Sequence, residues 1–565
     1  MAILNRRGLA VRAHLPTASA PRLKAMSKAS LLVCCGLLLA LGIASLAQAQ
    51  AGPDDIAAIL RRLEQQDNEL RALREQVNAQ GNSLRLPSVA GAPGVGPNPP
   101  APGASRSPGE ESVGNLPDSS QIAALKGTSA TFPTFRMTGF TQLDSAAYSQ
   151  DPLNIATVGN AQNGTGFRRA RLAVVGNAAE FTTYMMEVDF ATAGRPSFFD
   201  LWVEQANIPY LGAVTVGQYV QPFSIDAESG FRHLPFLERS LPFLAFVPFR
   251  RVGAQSTNWT EDKRTVWANS VFRTGGFNNA PLGDDRFGLD IGDVGGLSYS
   301  TRLAHLLYYD EGAPDRYLWE IGASFDYSRL SQNTGATSGL TGQAGGGPSP
   351  FYQSKVLPEF GLLGYGENSQ NFGNATNGTP IFIDSGRYAA RSFEIFGVET
   401  AWQSGAWSAQ AEWMATQVDS VVGPIFYEGA YAELMYRLTG ENRVWDKRTA
   451  SFKNPVPYTD FISTRPGGIC GWGAWEVCAR WSFVDERNPA ALSGHYYNSV
   501  TNTYTGLAAT GAIGNGMLND VTVGLNWYLN AHTKLQFNWI HAILNNTAKG
   551  LSQADLIVSR VQVDF

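Results

Sequence analysis

The C-terminal residues alternate in polarity, a pattern that narrows the folds open to this chain. Ile557, Val561 and Val563 fall on one face of an extended strand, whereas Arg560 and Gln562 fall on the other. Successive side chains of a strand point to opposite faces, so one face meets an apolar medium and the other meets water. The chain is therefore predicted to be all-β, either as a transmembrane antiparallel barrel with a wet lumen or as a large soluble sandwich or barrel. The same alternation recurs in residues 475–483, 521–529 and 534–539.

The N-terminal segment favours the membrane barrel. Residues 31–47 form a short apolar run that follows Lys24 and Lys28 and ends near the small residues Ala47 and Ala49. This arrangement is typical of a secretory signal peptide, which we assign to residues 1–49. No other stretch approaches the roughly 18 apolar residues that a spanning helix needs. We therefore expect a secreted chain of amphipathic strands, placed in the outer membrane or outside the cell.

The composition agrees with many strands joined by turns, because 11% of the residues are aromatic, only 16% are charged and 59 are glycine. The signal peptide contains six Lys and Arg residues and no acid, so its removal lowers the formal charge from −5 to near −11. This charge argues against nucleic acid as a partner. Any affinity for anions must come from the local placement of cations.

Two cysteines remain after the signal peptide, Cys470 and Cys478. A secreted chain permits a disulfide between them, but Cys478 lies within a predicted strand. A bridge forms only if a loop brings Cys470 back onto that strand, because the two Cα atoms must lie within about 7 Å.

Three segments are expected after the signal peptide. Residues 54–86 repeat apolar residues every seven positions, which predicts a coiled-coil stalk that could contact the envelope, or alternatively a single amphipathic helix. Residues 87–133 are rich in Pro and Gly and should form an extended, disordered linker. Residues 134–565, at about ten residues per strand plus turns and loops, fit a barrel of about 16 strands. The heptad positions are occupied by Ile56, Leu63, Leu70, Val77 and Leu84.

Three arginines within four residues, Arg168, Arg169 and Arg171, stand out in one predicted strand. Alternation puts Arg169 and Arg171 on the same face, whereas Arg168 needs a rim or a twisted stretch to reach water. Guanidinium groups in a narrow lumen suit phosphate, sulfate or carboxylate, because their planar donors match oxyanions. The alternative is that the arginines pair with lumen acids and stiffen the wall; candidate acids are Glu187, Asp189 and Asp200.

Several short segments, in order along the predicted barrel, carry a resemblance to a known family. They are Phe167-Arg168-Arg169-Ala170, Phe199-Asp200, Gly217-Gln218-Tyr219, Leu237-Glu238-Arg239, residues 405–412, Thr439-Gly440-Glu441, residues 473–476 and residues 524–528. On these segments, the chain from about Phe135 to Phe565 resembles the phosphate-selective porins O and P of Gram-negative outer membranes. The resemblance implies a homotrimer of 16-stranded barrels, each with its third loop folded inward and a ladder of basic residues leading to a central anion site.

The resemblance also implies roles for particular residues. By position, Arg168 and Arg169 match paired arginines of the constriction, and Asp200 matches an acid that faces them. Arg232 stands at a site lysine of the inward loop, which should run from about Val220 to Arg250.

Other positions depart from the family pattern. Arg171 occupies the place of an aromatic residue near the site. Phe231 replaces a site serine and Thr183 replaces a second site lysine, while Asp226 and Glu228 add acid to the inward loop.

These features predict a porin through which small anionic solutes diffuse, in contact with outer-membrane lipid, with its stalk in the periplasm and without cofactor or metal. A weakly selective general porin and a structural barrel that tethers the envelope are the alternatives. An enzyme is not expected, because the histidines of the mature chain are scattered and no hydrolase or metalloprotease motif surrounds them. Those histidines are His233, His305, His495, His532 and His541.

Overall fold

The computed structural model describes the C-terminal part of the chain, with gaps between described segments. The predicted signal peptide, coiled coil and linker lie almost wholly before residue 132 and therefore outside the described residues. The described ranges are 132–191, 196–274, 296–330, 351–361, 379–385, 388–420, 423–463, 470–487, 495–498, 503–506 and 516–565.

Within these ranges, sixteen long strands form a closed antiparallel barrel, which confirms the fold predicted from alternation. Each strand pairs with its sequence neighbours, and the first strand also pairs with the last through partners such as Gln142 and Gln562. The strands are β1 (Arg136–Gln150), β2 (Gly164–Ala179), β3 (Thr182–Asp189), β4 (Ser197–Ile208), β5 (Gly212–Val220), β6 (Arg250–Trp259), β7 (Thr265–Arg273), β8 (Leu297–Tyr309), β9 (Tyr317–Arg329), β10 (Tyr388–Ser404), β11 (Trp407–Ser420), β12 (Gly423–Arg437), β13 (Ala474–Asp485), β14 (Gly516–Asn530), β15 (Thr533–Asn546) and β16 (Gly550–Asp564).

The outer face of the wall is apolar and carries aromatic residues near both ends. Trp319 and Trp402 sit opposite each other near the end that holds Phe565, which we call the terminal end. Tyr299 and Tyr327 are paired near the other end, which we call the loop end. Aromatic belts above and below an apolar band are the pattern of a lipid-facing barrel. Of the helices in the described residues, none combines the length and apolar character needed to span a bilayer.

The inner face is polar and buried. Gln142, Asp144, Glu320 and Arg437 are all shielded from solvent although they lie on the lumen side of the wall. The shielding arises because parts of the chain fold into the barrel. The lumen is thus a packed interior with cavities, rather than a wide open pore.

The largest inward segment is the loop between β5 and β6, residues 221–249, which we call the inward loop. It starts and ends where the sequence predicted, directly after Val220 and before Arg250. Almost all of its residues are buried. Its short helical pieces are Ile225–Glu228, Phe231–His233 and Leu241–Phe246.

Shorter elements accompany the barrel. A helix, Pro152–Val158, follows β1, with Asp151 capping its N-terminus by accepting from the backbone N–H of Asn154. A hairpin made of Arg443–Asp446 and Ser451–Pro455, which we call the turn hairpin, enters from the terminal end between β12 and β13. The remaining short strands lie at the loop end: Phe351–Tyr352, Lys355–Val356, Ile383–Asp384, His495–Asn498 and Thr503–Gly506.

Phenylalanine and leucine side chains of the inward loop form an apolar core inside the lumen. They pack against the inner face of the wall and against the segment that contains Val356 and Phe360. Gly429 on β12 makes room for this packing, since a Cβ there would lie 3.1 Å from the Cβ of Pro242. Burial of so many large side chains holds the loop in one position. The contributing phenylalanines of the loop are Phe223, Phe231, Phe243, Phe246 and Phe249.

Candidate functional site

A β-bulge in β2 explains how adjacent arginines both face the lumen. The register between β1 and β2 shifts at this point, where Gln142 is opposite Arg169 and Leu143 is opposite Phe167. Arg168 is therefore the extra residue of the bulge, and its side chain is only 6% exposed. This is the twisted stretch that alternation required for Arg168 to reach the interior.

Both arginines converge on one carboxylate of the inward loop, Glu238. Arg169 donates from both terminal nitrogens to Glu238, at 3.0 and 2.9 Å, and Arg168 forms an ion pair with the same side chain at 3.0 Å. Arg560 on β16 adds a third contact at 2.7 Å while also binding Asp144 at two positions. Burial by itself raises the pKa of Glu238, but the three guanidinium groups outweigh it and hold that pKa well below its usual range.

Asp200, the acid that the resemblance placed opposite Arg168 and Arg169, has a different hydrogen-bond partner in the structure. Asp200 instead accepts two hydrogen bonds from Arg250, at 3.1 and 2.9 Å, where β6 begins. The residue that binds the paired arginines is Glu238, which belongs to a family-like segment but was not assigned a site role. Alternation could not reveal this contact, because Glu238 lies on a loop with no fixed face.

Arg171 pairs with wall carboxylates, as the alternative interpretation of the arginine cluster proposed. Its Nε donates to Asp189 at 2.9 Å, and one terminal nitrogen donates to Glu187 at 3.5 Å. Its guanidinium carbon also lies 3.5 Å from the ring centroid of Phe199. The guanidinium group of Arg171 thus stacks on the ring of Phe199 and donates from its edge to the two carboxylates.

Arg232 and His233 lie in the short turn of the inward loop and are buried. Burial lowers the pKa of Arg232, while Asp564 and Glu187 oppose that shift. Burial, followed by nearby Lys453 and other cations, lowers the pKa of His233 well below its usual range. The imidazole therefore stays neutral, which argues against His233 as a proton-operated gate.

Phe231 lies at the centre of the arginines. Its ring centroid is 3.7 Å from the guanidinium carbon of Arg169, 4.4 Å from that of Arg239 and 4.8 Å from that of Arg171. It also packs edge-on against Phe249 at 5.6 Å. Phe231 is therefore the centre of an arginine–aromatic cluster.

The opposite wall carries acids that hold the inward loop. Glu412 accepts a hydrogen bond from the hydroxyl of Ser224 at 2.9 Å and another from the backbone N–H of Ile225 at 3.0 Å. Glu399 accepts from the same N–H at 2.9 Å and pairs with Arg302. Arginines on one wall and carboxylates on the other create a transverse field across the lumen.

The turn hairpin closes part of the lumen from the terminal end, an arrangement that sequence patterns did not indicate. Arg302 donates to the backbone carbonyl groups of Thr449 and Ala450, at 2.7 and 3.0 Å. Arg443 of the hairpin donates to the carbonyl of His233 at 2.6 Å. The hairpin and the inward loop thus brace each other inside the barrel.

Below Phe231, towards the terminal end, the basic residues line a cavity of about 150 Å³. Arginines from three strands and the inward loop reach it, and carboxylates from β3, β4 and the loop lie among them. Such a cavity provides fixed positive groups for an anion together with acids that moderate their field. Its charged lining residues are Arg136, Arg171, Glu187, Asp200, Glu228, Arg232, Arg239 and Arg250.

Comparison with known proteins decides the family. The family model for phosphate-selective porin O and P matches residues 135–292 and 363–565. The chain belongs to the phosphate-selective porin O and P family. The resemblance inferred from short segments is therefore confirmed.

Two relatives of this porin show how far the similarity extends. Porin O of Pseudomonas aeruginosa is 30% identical over 226 residues, which span 38% of this chain and 45% of that protein. An uncharacterized protein of Caulobacter vibrioides is 24% identical over 469 residues, covering 80% of this chain and 82% of the relative. The match thus spans less than half of Porin O.

Solved porin structures align with the barrel at low identity. OprB of Pseudomonas putida aligns with a TM-score of 0.42 and 9% identity, over 79% of this chain and 96% of that one. A trimer form of OmpT of Vibrio cholerae aligns with a TM-score of 0.39 and 8% identity, over 77% of this chain and 99% of that one.

Proposed function

We propose that this porin conducts small solutes passively and prefers anions, oxyanions among them, at a constriction formed by the arginine wall and the inward loop. The observation that carries the proposal is the convergence of Arg168, Arg169, Arg171 and Arg232 on one side of the lumen. Fixed guanidinium groups in a confined, low-dielectric passage raise the local concentration of anions. No energy source is needed.

The ion pairs within the cluster favour a second candidate, a weakly selective general porin. Arg169 binds Glu238 and Arg250 binds Asp200, so much of the positive field is compensated locally. A compensated wall would distinguish anions from cations only slightly. The two functions differ in the size of the anion preference and can be separated by electrical recording.

The test is the reversal potential of the purified porin in planar bilayers under a KCl gradient. In the wild type we expect a reversal potential whose sign indicates chloride preference. This potential should be smaller in both Arg169→Ala and Arg232→Ala, because each substitution removes a cation from the lumen. Arg391→Ala is the matched control, since Arg391 is 64% exposed and pairs with Asp419 near the loop end. Cation preference in the wild type would refute anion selectivity, and a potential near zero would support the weakly selective porin.

We further propose that the porin assembles as a homotrimer through the outer face of β16, β1 and β2. Ser559, Ser145 and Thr165 lie side by side on this face, and Thr165 donates to Ser145 at 3.0 Å. Small polar side chains on a face that would otherwise meet lipid favour close contact between membrane segments. Bulky Ser145→Trp should dissociate the assembly in detergent, whereas Val521→Trp on the outer face of β14 should not.

The N-terminal segment is proposed to act as a periplasmic stalk that strengthens the assembly or contacts the envelope. Deletion of residues 50–130 should leave single-channel conductance intact and weaken oligomer stability or envelope anchoring. Lost conductance with an intact oligomer would contradict a separate stalk role.

A further inference from the structure

The ring of Phe231 separates two cavities along the lumen. On its loop side it lines a cavity of about 20 Å³ together with Arg168, Glu238 and Leu357. On its terminal side it lines the cavity of about 150 Å³. Because one side chain borders both spaces, its chemistry acts on any solute that passes between them.

The guanidinium groups around Phe231 present their faces to the ring and their edges to carboxylates. Arg169 stacks on Phe231 while its nitrogens donate to Gln142 and Glu238. Arg250 lies 5.7 Å from the same ring while it donates to Asp200 twice. Inorganic phosphate is recognised through guanidinium edges, so it has to compete with these resident carboxylates.

The larger cavity is lined by flat apolar surfaces beside its arginines. Phe140, Trp202 and Tyr219 reach it in addition to Phe231. Arg232 stands 4.6 Å from the ring centroid of Phe140, which repeats the stacked arrangement at a second ring. A solute with a planar apolar body can stack on these rings and guanidinium faces, and its carboxylate then lies among the arginines.

We propose that this cavity binds aromatic monocarboxylates in preference to inorganic phosphate, and that Phe231 determines the preference. The inference rests on the proposed anion conductance and names its solute class. Phe231 supplies a π face where a hydroxyl would supply a donor for phosphate. The cavity therefore recognises an apolar ring as well as an oxyanion edge.

Block of chloride current by benzoate and by inorganic phosphate tests the proposal in the full-length porin at pH 8. The stacking contribution predicts a half-blocking concentration about tenfold lower for benzoate than for phosphate in the wild type. Phe231→Ser should abolish this advantage, whereas Phe231→Leu, which keeps an apolar side chain without a π face, should retain part of it. Bi-ionic reversal potentials report the same preference if benzoate passes without blocking.

The outcomes separate the two levels of the proposal. In one outcome, the wild type prefers chloride to potassium while phosphate blocks and permeates at least as well as benzoate. That result overturns the proposed solute class and is compatible with the anion channel. An unchanged benzoate-to-phosphate ratio in Phe231→Ser overturns the role of Phe231. Cation preference in the wild type removes the proposed function and this inference with it. Wild-type gel mobility of the unheated, folded form in each Phe231 variant verifies that the variant barrel is folded.

Discussion

Oε1 of Glu238 in the inward loop lies 2.7 Å from Nη2 of Arg560 in the last strand. The same guanidinium donates to both oxygens of Asp144 in the first strand. One ion network therefore joins the inward loop to the seam where the barrel closes. The loop position and the barrel closure depend on the same buried charges.

Glu238→Gln is expected to destabilise the barrel. The change leaves Arg168, Arg169 and Arg560 buried with one fewer negative partner, and removing one member of a buried ion pair typically costs about 3–5 kcal/mol. The loss should appear as a lower unfolding temperature when the folded and unfolded forms are separated by gel mobility. Glu311→Gln is the matched control, because Glu311 pairs with Lys447 but is 60% exposed. Equal unfolding temperatures for wild type and Glu238→Gln would contradict this role.

Anion preference should increase as the pH falls from 8 to 6. Burial raises the pKa of Glu228 to about 7, with Arg302 and Arg239 opposing the shift and Glu399 and Asp446 adding to it. Glu228 lines the larger cavity, so it carries a negative charge there above pH 7 and is neutral below. Protonation removes that charge and leaves the arginine field less compensated.

Reversal potentials measured across this pH range check the prediction. Glu228→Gln should show the low-pH potential at every pH, because its side chain is neutral throughout. Asp262→Asn, at an exposed turn, provides the control and should keep the wild-type pH dependence. A Glu228→Gln channel that still changes selectivity between pH 8 and 6 would place the titrating group elsewhere.

Local sequence patterns predicted the wall well, because polarity alternation reports directly which face of a strand meets water. The boundaries of the inward loop, Val220 and Arg250, also agreed with the structure. The pattern failed for contacts made by segments that fold into the lumen. The partner of Arg168 and Arg169 lies about 70 residues away on a loop, and the bulge that turns Arg168 inward depends on how β1 and β2 pair.

The cluster around Phe231 could be predicted only in part. The resemblance to the family drew attention to Phe231, at a position where it implied a site serine. The contacts of Phe231 with Arg239 and Arg250 were not visible in the sequence, since these residues approach only after the inward loop folds back on itself. Buried lumen contacts of this kind depend on long-range chain geometry rather than on periodicity.

The two cysteines of the barrel, Cys470 and Cys478, should differ in reactivity. Cys470 is exposed and Cys478 is buried, with its sulfur 3.5 Å from the carbonyl oxygen of Pro235, and the structure has both as free thiols. A polar maleimide reagent should therefore label Cys470 but not Cys478 in the folded barrel, and both after denaturation without reductant. Cys470→Ser should abolish labelling of the folded barrel. Failure to label either cysteine in denatured, unreduced protein would indicate a disulfide.

Shortening the turn hairpin should widen the passage. The hairpin occupies lumen space and is fixed at several points, through Arg302 to Thr449 and Ala450 and through Asn454 to the carbonyl of Arg232 at 2.9 Å. Replacement of residues 444–454 by a short Gly-Ser turn removes this material and frees the terminal side of the inward loop. Single-channel conductance should rise, and its fluctuations should increase because the loop loses bracing contacts. Arg302→Ala keeps the hairpin chain in place and removes the contacts of Arg302 with Thr449 and Ala450 and its ion pair with Glu399, so it should increase fluctuations with a smaller gain in mean conductance. An unchanged conductance in the shortened variant would mean that the hairpin does not limit ion flow.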